Sequence, residues 1–357
     1  MAMPKNALDF LKNLLACPTP SGYEMPGQAV VRDYLQKYAD EVRTDTHGNV
    51  WGVQNPDAAV KVMLAGHCDE IGLMIMHVDE KGFLYFSAVG GVNLQLLQGE
   101  SVLIHTAKGV IPGVIGVKPI HLMDEKERTE GTKKIETLWI DIGATDKKDA
   151  EKVVKLGDIA TVNKGWLPLR NNNVASRGFD NRIGVFVVAE VLRVLRGVKL
   201  PHLAIHAVST VQEEIGLRGA TTAANALKPD VGIAVDVGFA TDAPNMEAKK
   251  VGEAKLGGGP IIHRGANFNH QLFALIEQTA KRQKIPTQLQ PIPRGSGTDA
   301  NAMQMASNRT AAALVSIPNR YMHSPVETVN LDDVENAVKL IAETLKKLPA
   351  RLDFQPV

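Results

Sequence analysis

Only two cysteines, Cys17 and Cys68, occur among 357 residues. Two thiols cannot build a disulfide framework, and their scarcity fits a reducing cytoplasm, where the chain is expected to reside. No apolar run approaches the roughly 20 residues that cross a bilayer, so no membrane partner is expected. The opening stretch MAMPKNALDFLKNLLACPTPSG has an amphipathic helical pattern but no long apolar centre, and is read as carrying no signal peptide. Neither sign of charge prevails: 40 basic against 39 acidic residues leave a formal charge of +1. That balance gives no electrostatic reason to expect nucleic acid or an anionic membrane surface. Aromatic residues make up 5% of the chain, which leaves little surface on which a sugar could stack.

What is present is the composition of a globular protein, 44% hydrophobic and 22% charged. The length exceeds one ordinary core, so two domains are expected. After an N-terminal helix, HGNVWGV and KVMLAGHCDE read as two strands parted by a polar Asn-Pro-Asp turn. From about Ile71 the texture changes to short strands with Gly-rich turns, including a hairpin around Asp79–Gly82, then ESVLIHT, GVIPGVIGV, ETLWIDIGA and GDIATVN. This spacing, almost without helix, predicts a small β barrel or sandwich. The charged stretch HLMDEKERTEGTKKIE (121–136) reads as an exposed mobile loop.

After about Lys164 strands and helices alternate again. Asn181–Arg196 carries an apolar stripe of helical period. LAIHAVS and VGIAVDVG are near-continuous apolar runs, as expected of strands buried on both faces. Asn269–Lys284 reads as a helix, TAAALVSIP as a buried strand, and a last helix runs from Leu331 to Lys347 behind Asn330 as its N-cap. The expected architecture is an α/β domain (1–70 plus 164–357) interrupted by a β domain (71–163).

Ligands gather at the carboxyl ends of strands in open α/β sheets. The apolar runs deliver His67 and Asp69, the adjacent pair Glu213 and Glu214, Asp236, and His323 there, and Asp180 opens a helix. Each has an ordinary explanation taken alone. A histidine at a strand end is more often a hydrogen-bonded structural residue, and Asp180 could merely cap its helix. Asp236 is harder to dismiss, because a carboxylate inside an apolar run needs a charged partner. Taken together, two histidines and three carboxylates satisfy two first-row metals that share one carboxylate. Glu213 is then left over for proton transfer.

In order and spacing, AGHCDEIG, SRGFDNRIG, VQEEIGLRGA, VDVG and MHSPVE resemble the signature segments of the M42 metallo-aminopeptidases. The resemblance extends from CPTPSGYE (17–24) through GSGTDA near Gly295 to the C-terminal motif. It implies an α/β fold with a central mixed sheet flanked by helices, of the dinuclear zinc-peptidase type, with an inserted small β-barrel or PDZ-like domain. It also implies that His67 and Asp236 hold one divalent metal, Glu214 and His323 the other, and Asp180 both. Glu213 is then the general base and acid, and Asp69 orients the His67 ring. Two ions of Zn, Co or Mn, peptide substrates, and a tetrahedral homododecamer built from dimers complete what it implies.

Rival readings account for less. A glycoside hydrolase needs two carboxylates and no metal pair, leaving His67, His323 and Asp236 unexplained. A metal-dependent deacylase or carboxypeptidase of similar fold is a nearer rival. A peptide-binding scaffold has no reason to keep Glu213. Cys68 reads as core, GGGP (257–260) and GSGTDA as loops shaping a substrate pocket, and His105, His121 and His263 receive no role.

Overall fold

The computed structural model describes residues 3–130 and 134–355. Helices α1 (Lys5–Ala16) and α2 (Met25–Leu35) precede β1 (Glu41–Thr44), β2 (Val50–Gln54) and β3 (Val60–His67). Six short strands follow: β4 (Gly72–Val78), β5 (Leu84–Val89), β6 (Ser101–Thr106), β7 (Gly109–Gly116), β8 (Trp139–Asp141) and β9 (Ile159–Val162). Two short helices, α3 (Glu125–Glu130) and α4 (Lys147–Glu151), lie among them. The pair β10 (Leu167–Pro168) and β11 (Asn173–Ser176) leads into α5 (Phe179–Leu195) and β12 (Leu203–Thr210). The rest runs α6 (Arg218–Leu227), β13 (Val231–Phe239), α7 (Ala248–Val251), β14 (Ile261–Gly265), α8 (His270–Gln283) and β15 (Gln288–Ile292). It ends with α9 (Asp299–Met305), β16 (Ala311–Asn319), β17 (Glu327–Asn330) and α10 (Leu331–Leu345).

The large sheet has the order β1-β2-β12-β3-β13-β16-β14-β15. Its four central strands, β12, β3, β13 and β16, run parallel, while β2 and β14 join them antiparallel, so the sheet is mixed as expected. Helices cover both faces. On one, α5 is buried almost all round between the sheet and helices α1 and α10, within a core that includes Leu64, Val185, Ile233 and Ile341. On the other, α6 and α9 pack with Trp51, Met63 and Met303. Strands β4 to β9 close into a six-stranded barrel around its own core of Leu73, Ile75, Ile104 and Ile140.

The chain leaves the large sheet past Glu70 and returns past Arg177, and these ends are locked together. Glu70, 2% exposed, is paired with Arg177 and with Arg182 Nη2 at 2.9 Å. Arg182 also donates to the carbonyls of Leu14, Leu15 and Cys17 at the end of α1, where a cation also suits the helix dipole. One sequence expectation changes here. The charged stretch 121–136 is not loop throughout: α3 and a 3₁₀ turn at Ile135–Thr137 fall within it, and residues 131–133 lie outside the described residues. Strand β1, which carries no apolar alternation, is held by pairing with β2. Among the described residues, no helix is long and apolar enough to cross a membrane.

Candidate metal centre

Because β12, β3, β13 and β16 are parallel, their carboxyl ends open on one side of the sheet. His67 closes β3, Asp236 lies near the end of β13, and Glu213–Glu214 and His323 follow β12 and β16. The start of α5 is drawn over them by an unusually close helix–strand crossing. A Cβ on Gly66 of β3 would sit 2.4 Å from the Gly184 carbonyl carbon of α5, so no side chain fits there. Asp180 thereby reaches the strand ends. It does not cap its helix: Asn181 Oδ1 accepts from the Gly184 amide at 3.0 Å and takes that work. The Asp180 carboxylate is left free.

That carboxylate lies between the two histidines. Oδ1 is 3.2 Å from His67 Nε2, and Oδ2 is 3.3 Å from His323 Nε2. Asp236 Oδ1 lies 3.8 Å from His67 Nε2, and Glu214 Oε2 lies 3.5 Å from His323 Nε2. Two three-residue groups with ligand spacing result, His67–Asp180–Asp236 and Asp180–Glu214–His323, sharing Asp180. Glu213 belongs to neither, although its Oε2 is 3.6 Å from His67 Nε2. The imidazoles are oriented by carbonyls, which can only accept. His67 Nδ1 donates to the Asp69 carbonyl at 3.0 Å and His323 Nδ1 to the Gly91 carbonyl at 2.9 Å. Both Nε2 atoms are therefore left to face the carboxylates.

Asp69 does more than its sequence position implied. Its carboxylate stands 3.5 Å from His67 Nδ1, farther than its own carbonyl. Its oxygens instead accept from the amides of Glu213, at 3.0 Å, and Glu214, at 3.1 Å, and from Ser21 Oγ at 2.6 Å. Glu24 Oε1 accepts from the preceding amide, Gln212, at 3.2 Å. The adjacent acids are thus held by their backbone, and their side chains diverge toward His67 and His323. Sequence reasoning missed Ser21 and Glu24, although both lie in CPTPSGYE. It also missed Glu327, whose two oxygens accept from the amides of Asp180 and His323 at 2.9 and 3.0 Å.

The centre is crowded with like charge. Burial pushes Glu213 up to about 10 and Glu214 up to about 8, with nearby carboxylates adding to the shift. Burial likewise holds Asp236 well above the usual carboxylate range. Asp180 resists the same burial and stays low, because His323 and His67 both hydrogen-bond to it. That bond lifts His323 to about 9 against its own desolvation. His67, fully enclosed, is held up by Glu213 and by its bonds to Asp180 and Asp69.

An open cavity faces this cluster. Its walls include Val237, Ile292, Leu314 and Met322, with Gly295–Thr298 from the GSGTDA loop. That loop does shape the cavity; GGGP does not. The amides of Gly257 and Gly259 donate instead to Asp333 at the start of α10. His263 lines the cavity, its Nε2 2.9 Å from Ser316 Oγ, and His105 bonds Thr161 between the neighbouring barrel strands β6 and β9. Cys68 is fully buried in the core.

An α/β sheet that gathers two imidazoles and four carboxylates at its strand ends, under an apolar-walled cavity, defines a metal-dependent hydrolase. A profile of the M42 glutamyl aminopeptidases matches residues 48–340. The lysyl aminopeptidase of Pyrococcus furiosus is 40% identical over 98% of this chain and 99% of its own. The structure of a TET aminopeptidase from a marine-sediment thaumarchaeon superposes with a TM-score of 0.91 at 33% identity, covering 96% of each chain. The Pyrococcus horikoshii TET1 peptidase, which can assemble into a tetrahedron or a large octahedral shell, gives 0.85 at 34% identity over 96% of this chain and 100% of that one. The chain belongs to the M42 glutamyl aminopeptidase family. It is a metal-dependent aminopeptidase, a hydrolase acting on peptides.

Proposed function

We propose that the centre holds two divalent cations per chain and releases N-terminal residues one at a time. The observation that carries this is Asp180, whose two oxygens face two different histidines at 3.2 and 3.3 Å. The donor set suits such a pair. Asp180, Glu213, Glu214 and Asp236 bring four negative charges when ionised, and two neutral imidazoles bring none, so two divalent cations balance the site. Glu214 Oε1 is buried with no hydrogen-bond partner, as a ligand oxygen would be. His67 and Asp236 would hold one cation, Glu214 and His323 the other, and Asp180 both. Carboxylate and imidazole ligands suit Zn, Co or Mn. Such a pair, when bound, acidifies water and polarises the scissile carbonyl.

The chain's own chemistry then falls to Glu213. Buried at the cavity floor and outside both ligand groups, it would be ionised once bound cations offset the burial and the neighbouring carboxylates that push it up, and it then accepts the proton of the attacking water and returns it to the departing amine. Asp69 holds the backbone from which it projects. The carboxylates also receive the protonated α-amine of the substrate, which restricts cleavage to the N-terminal residue. Residues 71–163 form an inserted domain that carries contacts between copies, and the chain assembles from dimers into a tetrahedral homododecamer in the cytoplasm.

Metal analysis together with a panel of aminoacyl and N-acetylated chromogenic substrates tests this reading. Two metals per chain, loss of activity with a chelator, and recovery with Zn, Co or Mn are expected. Equal turnover of free and N-acetylated substrates would overturn the N-terminal restriction.

A further inference from the structure

Glu327 opens β17 and is 2% exposed, yet no ion pair to it occurs among the described residues. A carboxylate so deeply buried without a cation is costly unless its oxygens are fully hydrogen-bonded. Its partners are two backbone amides from distant segments: Asp180 N at 2.9 Å and His323 N at 3.0 Å. These are the residues that face each other across the centre at 3.3 Å. Neither backbone is in a regular conformation. Asp180 has φ −76 and ψ 106, non-helical values at the start of α5, and His323 has φ 60, a left-handed value that ordinary side chains seldom adopt. The register β11–β17 places Glu327 opposite Ser176, just upstream of Asp180.

We infer that Glu327 is a positioning residue, a two-oxygen clamp that sets the spacing of Asp180 and His323 and so tunes the metal site they share. The inference rests on the metal-centre reading above. Asp69 holds Glu213 and Glu214 in the same way, so each of two buried carboxylates orders one pair of site residues through backbone amides. The clamp requires two oxygens that can each accept from an amide. A glutamine has one acceptor oxygen and one NH₂, so in Glu327→Gln one amide must confront another donor, whichever way the side chain flips.

The test uses the full chain, with Zn(II) and Co(II) as probes. Metal affinity is measured by titration of the stripped protein, and coordination by the visible absorption of the Co(II) form. Residues behind metal ligands typically contribute 10- to 100-fold to affinity. Glu327→Gln is expected to lose that much at one site or both and to displace the Co(II) bands. Excess metal should restore kcat while KM stays near wild type. Wild-type affinities and an unchanged Co(II) spectrum would overturn the inference. So would a fall in the thermal midpoint of the stripped protein with metal affinity unaltered, which marks a role in folding alone. Should Glu327→Gln fail to fold, Glu327→Asp keeps both acceptors one methylene short, and wild-type metal affinity in that variant overturns the inference equally. A wild-type chain that binds no metal would instead refute the metal-centre reading.

Discussion

Glu213 and Glu214 are adjacent, chemically identical and anchored by one carboxylate, yet they should respond in opposite ways to the same substitution. Glu213→Gln keeps the volume and removes the proton acceptor. Glu213 stands outside both ligand groups, so both metals should stay bound. Removing a general base costs about 10²–10⁴-fold, or roughly 3–5 kcal/mol of barrier, and it should fall on kcat. Glu214→Gln replaces an oxygen that is buried without a partner, and another 3.5 Å from His323 Nε2, by one neutral oxygen and an NH₂ that cannot ligate. One metal should weaken, and activity should recover as metal is added. The assay is metal content per chain after dialysis against graded Co(II) or Zn(II), with kcat and KM at each concentration. If Glu213→Gln loses metal and responds to excess, the two roles are exchanged. If both variants keep near-normal kcat, the division of labour is refuted.

Three further outcomes are expected. In Gly91→Ala the new Cβ would lie 2.9 Å from His323 Nδ1, displacing the ring from the carbonyl that orients it. Metal affinity at the site of Glu214 and His323 should drop by about 10- to 100-fold, whereas Gly165→Ala, which meets nothing within 4 Å, should leave it unchanged. His206 is buried with both ring nitrogens unpaired, and burial, helped by Arg43 and Lys61, lowers it from 6.5 to about 4. The unfolded chain therefore binds the proton first. The stabilisation, roughly 3 kcal/mol, is present above pH 6.5 and lost as pH falls toward 4. His206→Leu should flatten that part of the stability profile in denaturant titrations; an unchanged slope refutes the assignment. Light scattering should give the mass of twelve chains at micromolar concentration, and a single-chain mass would exclude the assembly.

Much of this molecule was legible in the sequence because apolar runs betray buried parallel strands, and polar residues ending such runs must face something. His67, Asp236 and the Glu213–Glu214 pair declared themselves in this way. Asp180 did so only in company with the others, since an acid before an apolar helical stripe is by default a cap; the bond from Gly184 to Asn181 gives that work to another residue. The glycines of GGGP and GSGTDA looked alike, because composition reports that something approaches a backbone closely and not what approaches. In GGGP it is Asp333, and in GSGTDA the cavity.

The two carboxylate clamps were the least legible features, for a definite reason. Asp69 meets Glu213 across 144 positions and Glu327 meets Asp180 across 147, and each bond ends on a backbone amide. Every residue but proline offers that donor, so the partner carries no signature in residue type. A ligand announces itself because imidazole and carboxylate chemistry is scarce and specific. What holds a ligand in position is a generic N–H brought to a buried oxygen by the fold. Residues of the second kind are found by asking of each buried carboxylate which cation balances it. Glu70 answers with Arg177 and Arg182; among the described residues Glu327 answers with no cation and with two amides of the candidate metal site.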